Sequence, residues 1–189
     1  MFRLTITAVT LATIAACASP NPPTVSAADV NRAYAEANYI RGLPFTATND
    51  LPTGDATYRG KLGADVSGDL SGSILGDMTM AVAFDRNNVS GSVTNINLID
   101  RDGRPDQRLD GSLGIDGFES SGRIDAFAAG ELTAVDESGF LRDTDVLLVL
   151  DGDVYNDRGR GDAVFGSATG TGIGDLEVTF DGVFFGTRN

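Results

Sequence analysis

The chain has 189 residues, with 27 acidic against 14 basic side chains, a net charge of −13, and neither histidine nor tryptophan. The surplus of negative charge repels nucleic acid and anionic surfaces. The lack of histidine removes the commonest general base, the base of serine-type triads and a favoured transition-metal ligand together. A single cysteine excludes any intramolecular disulfide.

Arg3 gives the chain a short positive start, and Leu4 to Ala16 form an uncharged run rich in Leu, Ile, Val, Ala and Thr. A bilayer-spanning helix needs ~20 apolar residues, so this run is too short to cross and has instead the layout of a secretory signal. Its end, Ile14-Ala15-Ala16-Cys17, resembles the lipobox of bacterial lipoproteins. That resemblance implies residues 1–16 as signal peptide and Cys17 as the lipidation site. Ala16-Cys17-Ala18 also fits an ordinary small-x-small cleavage site, which is the competing reading. No other apolar run approaches spanning length, so attachment has to come from lipid, and the several acyl chains of a lipoprotein are enough for it. Ala18 and Ser19 differ from the Asp that marks inner-membrane retention, so the outer membrane is the expected location, on its periplasmic or its cell-surface face.

Residues 17–52 read as a lipid-anchored tether with one short helix. Ala18 to Val25 is rich in Ser, Pro and Asn, as flexible linkers are. Ser26 with Asp29 three residues on has the form of a capping box. Val30, Ala33, Tyr34, Ala37 and Ile40 then follow at helical spacing, and Gly42 and Pro44 stop the helix. A helix this short is marginal without something to pack on, and it is expected to add little to the core.

From residue 53 to 189 the pattern is of strands. Met78, Met80, Val82 and Phe84 alternate with Thr79, Ala81, Ala83 and Asp85, and Val89, Gly91 and Val93 resume the alternation after Arg86-Asn87-Asn88. Leu109, Gly111, Leu113 and Ile115 form another face. Val146, Leu148 and Leu150 alternate less cleanly because Leu147 and Val149 are apolar too, and Leu176, Val178, Phe180, Gly182 and Phe184 close the series. Glycines inside these runs (Gly60, Gly91, Gly111, Gly122, Gly166, Gly182) suit a sheet that bends sharply. The expected fold is all-β, an eight-stranded antiparallel β-barrel closed by its terminal strands, with a lipidated N-terminal tether and one short helix.

Several segments resemble the eight-stranded barrels of transferrin-binding protein B and related surface lipoproteins. Leu51 to Gly60 is similar to that family's first barrel strand, and Val82 to Asp85 with Val89 to Val93 to its second hairpin. Asp162 to Gly166 and Gly182 to Arg188 resemble its last two strands. The resemblance implies a barrel displayed on a lipid anchor in a group whose members commonly bind proteins. The family's two-lobed layout and its large loops are missing here, so transferrin binding does not carry over.

The remaining motifs are weak. Asp100-Arg101-Asp102-Gly103 with Asp106, and Asp151, Asp153 and Asp157 around Gly152, lack the spacing of a calcium loop and read as turns. Arg160-Gly161-Asp162 matches an adhesion tripeptide but overlaps the start of a strand. No catalytic, metal or cofactor-binding residue stands out, so no enzyme activity and no cofactor are expected. The expected function is a non-enzymatic outer-membrane lipoprotein whose barrel presents loops to a protein partner. The alternatives are a barrel that binds a small-molecule or metal-related solute for an uptake system, and an envelope protein with no specific ligand.

Overall fold

The computed structural model of the chain describes residues 19–136, 138–158 and 161–188, so the signal-like segment and Cys17 lie outside the described residues. Helix α1 (Ala27–Arg41) and a 3-10 turn (Thr48–Asp50) precede ten strands. These are β1 (Asp55–Gly68), β2 (Gly72–Ala83), β3 (Asn88–Ile99), β4 (Pro105–Arg108), β5 (Asp110–Gly111), β6 (Leu113–Ser120), β7 (Arg123–Val135), β8 (Leu141–Asp157), β9 (Gly161–Gly174) and β10 (Val178–Arg188).

Every pairing is antiparallel, and the order β2-β1-β10-β9-β8-β7-β6-β3 closes on itself through β2–β3. The result is the expected eight-stranded up-and-down barrel. Three short strands share its fourth stave. β4 lies on β3, β5 on β7, and β6 between the two, with breaks at Leu109 and Ser112. The chain departs from the sheet here because Gly111 takes φ 111°, a left-handed conformation closed to most side chains.

Closure depends on the terminal strands. β1 pairs with β10 from Tyr58↔Arg188 to Gly68↔Val178, so neither end of the sheet is left as a free edge. The alternating side chains then point inward and pack. Tyr58, Leu62, Met78, Met80, Val82, Val93, Leu113, Ile124, Leu148, Leu150 and Phe184 are all within 2 % of full burial. Phe84, one residue past the end of β2, is half-buried and covers the barrel's mouth rather than its centre.

The Phe184 ring in the interior has its space made by glycine. A Cβ at Gly166 would fall 2.5 Å from the Phe184 ring, and one at Gly152 would fall 2.7 Å from it. Gly152 and Gly166 are register partners on β8 and β9, and Phe184 on β10 pairs with Gly166. Any side chain at either position drives Phe184 out of its site, the overpacking that costs ~1–3 kcal/mol.

The N-terminal segment is not a loose tether once it reaches Asn21. The Asn21 carbonyl accepts the Arg108 N–H at 3.0 Å, and the Asn21 amide group donates to Asp110 at 2.7 Å. The Thr24 N–H donates to the Asn97 side chain at 2.8 Å, and the Thr24 hydroxyl also bonds Asn95. Ser26 then caps α1 as expected. Its hydroxyl accepts the Asp29 N–H at 3.3 Å, while the Asp29 carboxylate accepts the Ser26 N–H at 2.9 Å. The Ser26 hydroxyl, which donates to the same carboxylate at 2.6 Å, and after it the Ser26 N–H hold the Asp29 carboxyl below its ordinary value.

The helix lies against the outer wall. Ala33 and Ile40 pack with Leu75, Ile99, Tyr155, Ala163 and Phe185, forming a second apolar cluster outside the barrel. Beyond the helix, Pro44 to Thr46 pair with β8 through Asn156 N–H to Pro44 O at 2.9 Å and Thr46 N–H to Val154 O at 2.9 Å. Phe45 stacks on Tyr155 with ring centroids 4.9 Å apart. The helix therefore contributes a second core, contrary to the sequence expectation, because its apolar stripe meets strands that are apolar on both faces.

Ile40 is completely buried on that wall. Ile40→Ala is expected to cost ~2–5 kcal/mol in a urea or thermal melt of the whole domain. A melt unchanged by the substitution would mean that the helix is detached in solution.

Candidate functional site

The barrel interior offers no room for a ligand. The gap at the end lined by Val66, Leu98, Leu109, Leu132, Val146, Leu176 and Phe180 holds about 20 Å³. That is space for roughly one water molecule, and its lining is apolar.

At the opposite end the interior carries two polar groups. Glu119 is 3 % exposed, and its carboxylate accepts the Gly122 N–H at 2.6 Å, which ties down the β6–β7 turn. Tyr58 is fully buried, and among the described residues its hydroxyl has no hydrogen-bond partner. Burial pushes the Tyr58 phenol well above its ordinary value, with Asp162 and Glu119 adding to the shift and Arg188 opposing it. Leu51, packed against the core, covers this end from outside.

The outer wall is where the molecule is unfinished. Two runs in the strands are apolar on both faces, and they are treated differently. Val183-Phe184-Phe185 on β10 has its outward residues covered by α1. Val146 to Leu150 on β8 does not, since Leu147 is 51 % and Val149 46 % exposed. Phe127 on β7, the register partner of Val149, is 51 % exposed, and exposed Ala129 pairs with Leu147. Phe118 on β6 is exposed one diagonal step away, since Phe127 pairs with its neighbour-but-one Asp116. Thr169 and Thr171 border the stripe on β9. The helix contacts β9 and β10, and β9 borders β8, so the stripe begins where the sector covered by the helix ends.

A second feature is a crease of about 230 Å³ between α1 and the wall, lined by Val30, Ala33, Tyr34, Ala37, Val183 and Phe185 among others. It is the margin of the helix contact, open to solvent rather than enclosed.

The acidic stretches resolve into turns and ion pairs. The Asp100 carboxylate accepts the N–H groups of Asp102 and Arg104 at 2.9 and 2.8 Å, an ordinary Asx-type turn. Asp151 pairs with Arg123 at 2.8 Å, and Asp125 pairs with the same guanidinium at 3.3 Å. Asp153 lies in register with Arg123; burial raises its carboxyl, Arg123 opposes the shift, and Asp151 and Asp125 add to it. Asp157 is buried and accepts the Tyr39 hydroxyl at 3.0 Å, so it secures the end of α1. Among the described residues no group of three or more metal-ligating side chains comes together.

In the tripeptide, Arg160 lies outside the described residues, and Asp162 is in β9 with an ion pair to Arg188 at 3.4 Å. Cys17 likewise falls outside them, but Asn21 places the chain that follows it at the rim formed by β3 and β4. Among the described residues no helix is long and apolar enough to cross a membrane. The stripe on β7 and β8 was not singled out from the sequence, although Leu147 and Val149 had marked it by breaking the alternation. Comparison with family models, with curated proteins and with solved structures finds no match.

The Tyr58 hydroxyl gives this end of the barrel a pH signature. A phenol buried neutral stabilises the fold fully below its unfolded value of about 10, and that contribution is lost as pH rises above it toward the higher folded value. Tyr58→Phe removes both the ionisation and an unmade hydrogen bond that costs ~1–3 kcal/mol. The variant is expected to melt at or above the wild-type temperature at pH 7 and to lose less stability between about pH 9.5 and 11. A clear loss of stability at pH 7 would show that the hydroxyl has a partner.

Proposed function

We propose that this chain is a non-enzymatic lipoprotein of the outer membrane, anchored through acylated Cys17, whose barrel binds a protein partner. The observation that carries the proposal is the contrast between a filled interior and a bare apolar stripe outside. Phe127, Leu147 and Val149 are adjacent across two strands in the middle of the wall. Neighbouring exposed apolar side chains of this kind mark interaction surfaces, and aromatic anchors dominate them energetically. The acidic surroundings of the barrel add solubility and discriminate against acidic partners.

The loops are a weaker basis for binding than the wall. The β3–β4 and β6–β7 turns are short and built from Asp, Ser, Gly and Arg, and the β2–β3 turn adds half-buried Phe84 to Asp, Arg and Asn. Among the described residues of the strand-connecting turns, only the β7–β8 turn bears an exposed large apolar side chain, Phe140. A solute-binding role has less support, because a solute held inside would need the space that Met80, Leu148 and Phe184 fill.

A photo-crosslinking residue placed at Val149 in living cells tests the proposal. It is expected to give a discrete protein adduct that Phe127→Glu abolishes without lowering the melting temperature. The same residue at Ser90, on exposed β3, should give none. Equal labelling at Val149 and Ser90, or an adduct indifferent to Phe127→Glu, would contradict it.

A further inference from the structure

We infer that the barrel end carrying the β3–β4 and β7–β8 turns rests on the lipid surface, with Phe140 and Leu141 meeting the headgroup region. This rests on the acylation of Cys17 proposed above, and it adds an orientation that the anchor alone does not dictate.

The first argument is chain length. A lipoprotein on a long linker turns freely, but here the wall takes hold of the chain at Asn21. From Cys17 to Asn21 there are four residue steps, which span at most ~14 Å fully extended. Asn21 is fixed to Arg108 and Asp110, and Arg108 lies in register with Asn97, close to the end of β3 at Ile99. An acylated Cys17 therefore holds this rim within about that reach of the membrane. The opposite end begins where β3 starts at Asn88. Nine residues at ~3.3 Å, on strands tilted ~35–45°, place it a further ~20–25 Å along the axis.

The second argument is what the near rim carries. Gln107, next to Arg108, exchanges two hydrogen bonds with the Val135 backbone at 2.9 and 3.0 Å, and Val135 is in register with Leu141. Two or three strand spacings, ~10–15 Å, thus separate Asn21 from the β7–β8 turn. Phe140 is 58 % exposed and Leu141 59 %, apolar tips turned largely to solvent. The Arg142 guanidinium pairs through Nε with Asp136 at 2.8 Å and sits 5.8 Å over the Phe140 ring, so its terminal nitrogens are what the headgroup region meets as the ring enters the interface. On the same rim Asp69, Asp100, Asp102, Asp175 and Glu177 outnumber Arg101 and Arg104, the latter paired with Asp102 at 3.2 Å, so net negative lipid is repelled and the surface it fits is zwitterionic.

The native lipoprotein reconstituted into phosphatidylcholine vesicles provides the test. With Cys17 acylated, Ser138→Cys and Asn88→Cys each offer one thiol for a fluorophore, and a headgroup spin-labelled phospholipid serves as quencher. Quenching is expected to be at least threefold stronger at position 138 than at 88, and to fall at 138 when phosphatidylglycerol replaces part of the phosphatidylcholine. Equal quenching at the two positions, or stronger quenching at 88, overturns the orientation. A label at 138 shielded from both the lipid quencher and aqueous iodide assigns the rim to a protein and also overturns it. Flotation separates the two claims. If the wild-type protein fails to float with vesicles, or floats no better than Cys17→Ala, the anchor is refuted and the orientation falls with it. Floating protein with equal quenching refutes the orientation alone.

Discussion

The pairing of β1 with β10 joins the first strand of the barrel to the last, and the other features of the fold are consequences of it. With that ladder in place each of the eight staves has two neighbours, the sheet has no first or last strand, and each stave has one face that water cannot reach. The inward face is then a closed volume of fixed size that has to be filled by side chains of matching shape. Leu, Met, Val and Phe do this, with glycine at Gly152 and Gly166 where the Phe184 ring passes over the adjoining strands β9 and β8. An interior packed to that degree behaves as a core, as in other small eight-stranded barrels.

A sealed interior shifts function to the outside, and the outside is not uniform. One sector is covered by the chain itself. The segment from Asn21 to Leu51 is bound at β4 and β3, crosses the wall as α1, pairs with the end of β8 and finishes over the barrel's mouth. The sector beside it, in the middle of β7 and β8, is apolar in the same manner but is left exposed. Two strands apolar on both faces are thus treated differently, one covered within the chain and one left exposed among the described residues. The same N-terminal segment attaches to the wall at Asn21, four residue steps from Cys17.

Much of this was legible in the sequence where a single periodicity decided the outcome. The alternation of Met78, Met80 and Val82 gave the inward face of β2, and the Ser26–Asp29 pair marked the start of the helix within one residue. Phe84 followed the alternation but not the burial, because the strand ends before it. What composition hid was docking. Residues 19–25 have the Ser, Pro and Asn content of a linker, and their attachment runs through the Asn21 carbonyl and the Thr24 N–H, groups that leave no trace in hydropathy. The helix looked marginal because its stripe of Ala33, Ala37 and Ile40 is thin; the matching partners, Leu75, Ile99 and Phe185, are scattered over three strands distant in sequence. The doubled apolar runs at Val146 to Leu150 and Val183 to Phe185 carried the missing information, since a strand buried on both faces is apolar without alternation. Which of the two runs was covered depended on the path of the N-terminal segment.

The claim on which the account stands is that the barrel is a filled support whose contacts are made by its outer surface. Native mass spectrometry of the protein purified from its own cells examines this most directly, because a ligand enclosed by the strands would survive gentle ionisation. The account predicts the mass of the lipid-modified polypeptide with no stoichiometric small molecule retained. A bound small molecule at one per chain, lost only when the barrel unfolds, would contradict it.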